Sequence, residues 1–225
     1  GEETAEMLID NLFVNVTMSA PGQRKYSFEI SASYVNNYAA ISIQPPAGVN
    51  FDLDVYNDIN FANLVKSSTR AAGSSEMIVL NGYNIGTTTY YARAYKVTTG
   101  DAGSYTVVME DTPQNLTAAG IITDELKSNE LFDLYKVYMP VNKVHRCTLS
   151  AINGSADAVL YLYQDNATIA DSCGTKGTPS TGACILRENS NGAGAGEEFN
   201  YNPPASKNFA LLVYNSGTGS LNYTI

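Results

Sequence analysis

The sequence has few of the residues on which catalytic and metal sites usually depend. Its 225 residues include one histidine, three cysteines and no tryptophan. A structural zinc site takes about four nitrogen or sulfur ligands, and an acyl-transfer triad needs a histidine held against a nucleophile. His145 stands two positions before Cys147, and on a strand two such side chains share a face without touching closely. The composition therefore excludes a zinc site of the usual kind, favours a structural His145, and predicts a protein that is not an enzyme.

Charged residues are also scarce, and the excess is negative. They make up 16% of the chain, and the formal net charge is −9. No basic stripe is available to displace counterions from phosphates, which excludes nucleic acid as a partner. No apolar run in the sequence approaches the roughly 20 residues that cross a bilayer, so no membrane span is expected.

Strand patterns dominate what is present. Residues 26–30 and 51–55 alternate between apolar and polar side chains, the period of a strand with one wet face. Thr89–Val97 and Ser104–Glu110, separated by a Gly-containing stretch, predict a hairpin. Helical signals are sparse and predict a turn or two each at Glu2–Asn11 and Thr123–Asn129. We therefore predict an all-β fold made of antiparallel β-sandwiches.

The pattern occurs twice. Residues 26–56 and 135–163 share one order of strands and turns, and the two halves also close alike, with a Tyr-rich strand followed by Gly-Ser and a final strand. A repeating unit of about a hundred residues has the size of a folded domain. We therefore predict two domains in tandem, 1–112 and 113–225.

The second copy carries its extra length between Asp165 and Glu197, a segment that contains Cys173 and Cys184. A loop rich in Gly, Thr, Pro and Ser separates these cysteines and has no other evident clamp. We therefore predict a disulfide between them, worth roughly 2–3 kcal/mol; the alternative is two unrelated small residues. Cys147 is expected to be a buried thiol. The Tyr-, Thr- and Asn-rich composition favours an extracellular or cell-surface location.

Three aspartates of the first copy are candidate metal ligands. Asp52 and Asp54 are expected on one strand face, and Asp58 follows at the next loop. Carboxylate oxygens are the ligands that Ca²⁺ takes, which makes calcium a candidate cofactor. The second copy has Val159 and Tyr161 in place of Asp52 and Asp54, so any such site is confined to the first domain. A solvated acidic strand face is the alternative.

Five Asn-X-Ser/Thr sequons permit N-glycosylation if the protein is exported. Chance is the alternative explanation in a chain so rich in Asn, Ser and Thr. The candidate acceptors are Asn15, Asn115, Asn153, Asn166 and Asn222.

Tyrosine is the main aromatic residue, with 16 copies. Most are expected in the cores, while exposed ones would stack on sugar rings or anchor protein interfaces. Those considered are Tyr34, Tyr38, Tyr56, Tyr83, Tyr90, Tyr91, Tyr95, Tyr161, Tyr163, Tyr201 and Tyr214.

Five segments in order carry a family resemblance: Tyr26-x-Phe28, Asp52–Tyr56, Glu76–Ile78, Tyr90–Tyr95 and Gly103–Val107. The sequence resembles the bacterial pre-peptidase C-terminal domain over about residues 8–110, and more weakly over about 118–225. The resemblance implies two tandem antiparallel jelly-roll-like β-sandwich domains, related to clostridial collagen-binding domains. It also implies an extracellular, non-catalytic module of the kind appended to secreted proteases, some of which bind matrix protein or polysaccharide. The collagen-binding relatives make calcium plausible.

We expect a secreted, non-catalytic structural or adhesive protein that self-assembles into a filament or surface layer. Its expected partners are neighbouring copies of itself or an extracellular matrix protein or polysaccharide. Leu8–Thr17 and Leu221–Ile225 are the expected places for strand addition between copies. The alternative is a substrate-binding accessory region of a secreted hydrolase, tethering it to collagen-like protein or polysaccharide. Because the chain opens at Gly1, we expect either a removed leader or a cut fragment.

Overall fold

The structure is a computed structural model that describes residues 5–8, 12–18, 22–30, 38–82, 88–98, 100–111, 113–117, 119–128, 130–150, 152–217 and 219–225. The chain forms two compact units, Gly1–Thr112 with Asn166–Asp171, and Pro113–Asp165 with Ser172–Ile225. These units differ from the predicted ranges 1–112 and 113–225 in that residues 166–171 group with the first unit.

The first unit contains ten strands in the part of the chain that the structure describes. They are β1 (Glu6–Met7), β2 (Leu12–Met18), β3 (Gln23–Ile30), β4 (Tyr38–Gln44), β5 (Phe51–Tyr56), β6 (Leu64–Ser68), β7 (Glu76–Asn81), β8 (Thr88–Lys96), β9 (Gly103–Glu110) and β15 (Ala167–Thr168). One sheet has the order β1-β3-β8-β5-β6 and the other the order β15-β7-β4-β9-β2. All pairings are antiparallel except that between β1 and β3.

The second unit repeats this plan. Its strands are β10 (Gln114–Leu116), β11 (Thr123–Leu126), β12 (Phe132–Met139), β13 (His145–Leu149), β14 (Ala158–Tyr163), β16 (Cys184–Glu188), β17 (Glu197–Tyr201), β18 (Lys207–Asn215) and β19 (Leu221–Thr224). One sheet has the order β10-β12-β18-β14-β16, and the pairs β11-β19 and β13-β17 lie where the first unit has its second sheet. A single bridge between Ser150 and Thr224 joins these two pairs.

Alternation along the strands builds the two cores. In β5, Phe51, Leu53 and Val55 are fully buried and belong to the core cluster of the first unit. Ala158, Leu160 and Leu162 of β14 play the same part in the second unit. Burying an aliphatic or aromatic side chain contributes about 1.5–3 kcal/mol, so the period-two pattern supplies the main stabilisation. The predicted all-β sandwich fold is confirmed: the described residues contain strands and no α-helix.

A buried pair of tyrosines joins the two sheets of each unit. The hydroxyl of Tyr26 on β3 is hydrogen-bonded to that of Tyr105 on β9, and the hydroxyl of Tyr135 on β12 to that of Tyr223 on β19. All four side chains are fully buried. The two units therefore share a polar contact between corresponding strands as well as an apolar pattern.

Two local predictions are wrong. Thr89–Val97 and Ser104–Glu110 do not pair as a hairpin, because β8 lies in one sheet of the first unit and β9 in the other. Thr123–Leu126 is not helical but forms β11, which pairs with β19. In both cases the pairing partner lies far along the chain, and sandwich packing overrides the local signal. No helix in the described part of the chain is long and apolar enough to span a membrane.

The tyrosine pair leads to a stability prediction. Replacing Tyr26 by Phe should lower the free energy of unfolding by about 1–2 kcal/mol, because a buried hydrogen bond is lost while its partner stays buried. Tyr105→Phe should have a similar effect. The double variant should lose less unfolding free energy than the sum of the two single changes, since it leaves neither hydroxyl buried without its partner. Urea unfolding followed by circular dichroism measures this, and strictly additive effects would contradict the coupling.

Candidate binding surface on the first unit

The sheet face of the first unit that points away from its core carries a row of polar side chains. Strand pairing places Lys25 opposite Arg93, Arg93 opposite Asp54, and Asp54 opposite Ser67. These residues alternate with core residues, so they project from the same face of four neighbouring strands. The row is the centre of the candidate surface.

Asp54 accepts three side-chain hydrogen bonds within this row and its surroundings. Its Oδ2 accepts hydrogen bonds from Arg93 Nη2 at 2.7 Å and from the Tyr56 hydroxyl at 3.1 Å. Its Oδ1 accepts one from Ser67 Oγ at 2.6 Å. Both carboxylate oxygens are therefore used, and only 6% of the Asp54 side chain is exposed. The charge of Asp54 is compensated within the sheet.

Two tyrosine rings lie close to Arg93. Its guanidinium carbon lies 4.7 Å from the centre of the Tyr95 ring and 5.6 Å from that of Tyr56. A guanidinium over an aromatic face gains about 0.5–2 kcal/mol, depending on how dry the site is. The arginine is thereby fixed by an ion pair and by two aromatic contacts.

The loop after β5 is folded around a carboxylate. Asp58 Oδ1 accepts from the backbone N–H groups of Ala62 at 3.0 Å and Asn63 at 2.6 Å, and Oδ2 from that of Asn60 at 3.1 Å. Within this loop Phe61 has a φ of 54°, a left-handed conformation that is uncommon for a non-glycine residue and unfavourable by about 1 kcal/mol or more. Asp58 therefore stabilises a strained turn.

The strained turn places an aromatic ring beside the ionic row. The Phe61 ring makes edge contacts with Tyr56 at 5.3 Å and Tyr91 at 5.8 Å between ring centres. Lys25 Nζ lies 4.8 Å from the centre of the same ring. Phe61, Tyr91 and Lys25 are each half-buried, so part of every side chain still faces solvent. Exposed rings with a cation alongside are suited to sugars or to extended peptides.

Asp52 lies at the end of this face, opposite Tyr95. It is 6% exposed, and its Oδ1 has no hydrogen-bond partner among the described residues. Burial, together with the neighbouring charge of Asp54, raises the pKa of Asp52 to about 6, although a hydrogen bond with Tyr95 opposes the shift. Burial and the same two carboxylates raise the pKa of Tyr95 to about 12. Ionised Asp52 is therefore a local source of instability.

The structure does not bring Asp52, Asp54 and Asp58 together as a calcium site. Among the residues described, their carboxylate oxygens do not form a cluster within 4.8 Å. Asp54 is paired with Arg93, and Asp58 is used by its own loop. The alternative of a solvated acidic face is also wrong for Asp52 and Asp54, because both are buried.

The corresponding face of the second unit has different chemistry. Tyr161 stacks on Tyr163 with ring centres 5.7 Å apart, and its hydroxyl accepts from Arg187 Nε at 3.2 Å. Seven residues connect β5 to β6, whereas twenty connect β14 to β16. A disulfide joins Cys173 in this longer connection to Cys184, the first residue of β16. Gly174 is tightly enclosed there, since a Cβ on it would lie 2.2 Å from Ser180 N.

Both units also bury a glutamate that caps a loop. Glu76 accepts from Arg70 N at 2.7 Å and Ser68 Oγ at 2.5 Å. Glu197, at the same position of the second unit, accepts from Ser190 N at 3.0 Å and Asn191 N at 2.9 Å. Burial raises the pKa of Glu76 to about 7 and raises that of Glu197 as well. The sequence pattern alone does not identify either glutamate as a buried polar residue.

The other histidine, cysteine and tyrosine candidates differ in their surroundings. His145 Nε2 is 3.0 Å from the carbonyl oxygen of Pro140. Cys147 is half-buried, and burial raises the pKa of its thiol to about 12. Of the tyrosines, Tyr91 and Tyr95 are half-exposed, and Tyr34 and Tyr83 lie outside the described residues. The others are buried: Tyr38, Tyr56, Tyr90, Tyr161, Tyr163, Tyr201 and Tyr214.

The sequons differ in accessibility. Asn115, Asn153 and Asn222 are exposed. Asn166 is half-buried, its Oδ1 accepts from Asn81 N at 2.7 Å, and the Thr168 of its sequon is 3% exposed. Asn15 lies on β2, and its side chain falls outside the described part of the chain.

Opposite effects of two neighbouring substitutions test the electrostatics of this face. Because the folded pKa of Asp52 is raised above its unfolded value, its ionisation destabilises the fold; this cost is absent below about pH 4 and complete above about pH 6. Asp52→Asn should therefore raise the unfolding free energy by about 1–2 kcal/mol at pH 8 and leave it unchanged at pH 4. Asp54→Asn should instead lower it at pH 8 by about 2 kcal/mol, since Arg93 loses its partner. Thermal unfolding across pH 4–8 measures the stability of both variants. A destabilising effect of Asp52→Asn at pH 8 would contradict the raised pKa of Asp52.

No protein-family model matches the sequence, and no curated protein matches it either. Among solved structures, the chain is similar to the pre-peptidase C-terminal domain of a collagenase from Bacillus anthracis, known at 1.0 Å. The TM-score is 0.39 and the identity 17%, over 49% of this chain and 98% of that domain.

Proposed function

We propose that this protein is an extracellular, non-catalytic structural or adhesive component. The observation that carries the proposal is how its buried carboxylates are used: four of them, two in each unit, accept hydrogen bonds from donors of their own fold. Glu76 and Glu197 cap loops, Asp54 pairs with Arg93, and Asp133 accepts from the Tyr223 hydroxyl. Reactive groups at catalytic sites converge on a cavity; these groups stabilise a scaffold.

Duplication supports the same proposal. Two sandwiches of similar topology in a single chain provide two similar frameworks, which suits assembly or multivalent adhesion. The Cys173–Cys184 disulfide fits an oxidising compartment. The sequence resemblance to pre-peptidase C-terminal domains, which are parts of secreted proteins, favours the same location. Neighbouring copies or a matrix component are the proposed partners.

Self-association of the purified protein tests this proposal. We expect species larger than the monomer to form with increasing protein concentration, seen as rising mass in light scattering and as ordered particles or filaments in electron microscopy. Removal of divalent ions with a chelator should leave assembly unchanged if strand pairing drives it, and should abolish it if calcium does. A single monomeric species at every concentration, salt and calcium level would count against assembly.

The aromatic surface of the first unit favours a second candidate, a substrate-binding accessory region of a secreted hydrolase. Phe61 and Tyr91 present half-buried rings beside Lys25, and such rings stack on sugars or on peptide side chains. The strained φ at Phe61 fits this candidate, because backbone strain is often retained where a ligand is bound.

Retention on insoluble ligands tests this second candidate. The protein should be retained on collagen, chitin or cellulose, and Phe61→Ala should reduce the retained fraction at least tenfold. Ile59→Ala is the matched control, because Ile59 lies in the same loop and is 67% exposed without a ring to stack. Equal melting temperatures would show that both variants fold. No retention on any matrix, or equal loss in both variants, would remove the support for this candidate.

A further inference from the structure

An aromatic row lies beside the ionic row on the outer face of the first unit. The ionic row consists of Lys25, Arg93, Asp54 and Ser67. The next row on the same face pairs Met7 with Ser27, Ser27 with Tyr91, Tyr91 with Tyr56 and Tyr56 with Leu64. Met7 and Leu64, at the two ends of this aromatic row, are 70% and 55% exposed. Apolar and aromatic surface is therefore open to solvent next to charged groups.

The Phe61 ring contacts both rows. It meets Tyr56 and Tyr91 of the aromatic row in edge contacts, and Lys25 Nζ of the ionic row lies 4.8 Å from its centre. Phe61, Tyr91 and Lys25 are half-buried, so each of them is within reach of a ligand. One small area thus offers aromatic carbon together with an ammonium group.

Lys25 is a cation without a carboxylate partner. Arg93 is paired with Asp54 at 2.7 Å, and Lys66 of the same sheet is paired with Asp171 at 3.2 Å. Lys25 forms no ion pair with any residue that the structure describes. In a chain with a net charge of −9, a positive group held against aromatic rings is complementary to an anionic ligand.

The backbone of this face is already hydrogen-bonded. In the sheet order β1-β3-β8-β5-β6, the three central strands have a neighbour on either side. A peptide that binds by strand addition needs unpaired backbone groups, so the centre of this face offers its side chains alone. Aromatic rings with a polar group alongside are suited to stacking on sugar rings. The observations therefore favour a sugar over an extended peptide.

We propose that this face of the first unit binds an acidic polysaccharide whose sugar units carry carboxylates. The sugar ring would pack against Phe61 and Tyr91, and its carboxylate would bind the Lys25 ammonium. In a uronic acid the carboxylate is attached directly to the sugar ring, which matches a cation held 4.8 Å from the centre of an aromatic ring. Glu29, exposed on the same strand beyond Ser27, would repel the carboxylate and keep it at the Lys25 end. The inference rests on the second candidate function and names its substrate class.

A matched pair of ligands tests the role of the carboxylate. The probes are labelled oligogalacturonate and the same oligosaccharide with its carboxylates methyl-esterified, which removes the charge and keeps the sugar rings. Their binding to the whole protein is followed by fluorescence polarisation. We expect the ester to bind about tenfold more weakly, the loss of one hydrogen bond between charged groups, and added salt to weaken binding of the acid. Equal affinity for acid and ester would overturn the proposal.

Variants locate the binding site. Lys25→Gln should weaken binding of the acid about tenfold and leave binding of the ester unchanged, whereas Phe61→Ala should weaken binding of both. Lys143→Gln is the matched control, because Lys143 is an exposed lysine of the second unit and its loss changes the net charge equally. Unchanged melting temperatures would show that the variants fold. An equal loss of affinity in Lys143→Gln would indicate unspecific attraction and overturn the proposal.

Two further ligands separate the sugar from its charge. Labelled polyglutamate carries carboxylates without sugar rings, and an affinity equal to that for oligogalacturonate would overturn the proposal in favour of an acidic peptide. Retention on chitin or cellulose that Phe61→Ala reduces, without any preference for the acid over its ester, would support the candidate function and overturn only the acidic class. No binding of either oligosaccharide would overturn the inference, while retention on collagen would still support the candidate function.

Discussion

The contact between facing sheets governs each half of this molecule, and a pair of tyrosine hydroxyls fixes it at one point. A buried hydroxyl is unfavourable unless it is hydrogen-bonded. Tyr26 and Tyr105 therefore hold β3 and β9 at one relative position, and Tyr135 and Tyr223 do the same for β12 and β19. Apolar side chains stabilise many packings of two sheets, whereas this polar contact is satisfied in few of them.

With that contact fixed, the sheet face that points away from the core can differ between the two units. The first unit has the pair of Asp54 and Arg93 on this face, and the second has Tyr161 with Arg187. Both arrangements satisfy a polar group with a cation from a neighbouring strand. Among the described residues, a strained turn with a half-buried ring, that of Phe61, accompanies the arrangement in the first unit. Duplication of a scaffold thus permits one copy to acquire a surface that the other lacks.

Local alternation and composition predict most of the strands, the repeated strand pattern and the apolar side of each sheet, because these features depend on near neighbours in the sequence. The partners were decided only by the tertiary structure. Asp54 meets Arg93, 39 residues away, since β5 and β8 are adjacent in the sheet. Of the three expected calcium ligands, Asp54 therefore forms an ion pair. Asp52 is a buried carboxylate without a compensating cation, and Asp58 caps its own loop. The placing of residues 166–171 in the first unit likewise depends on a pairing with β7 that no local pattern encodes. Alternation specifies which face a side chain takes, but only long-range packing specifies what it meets.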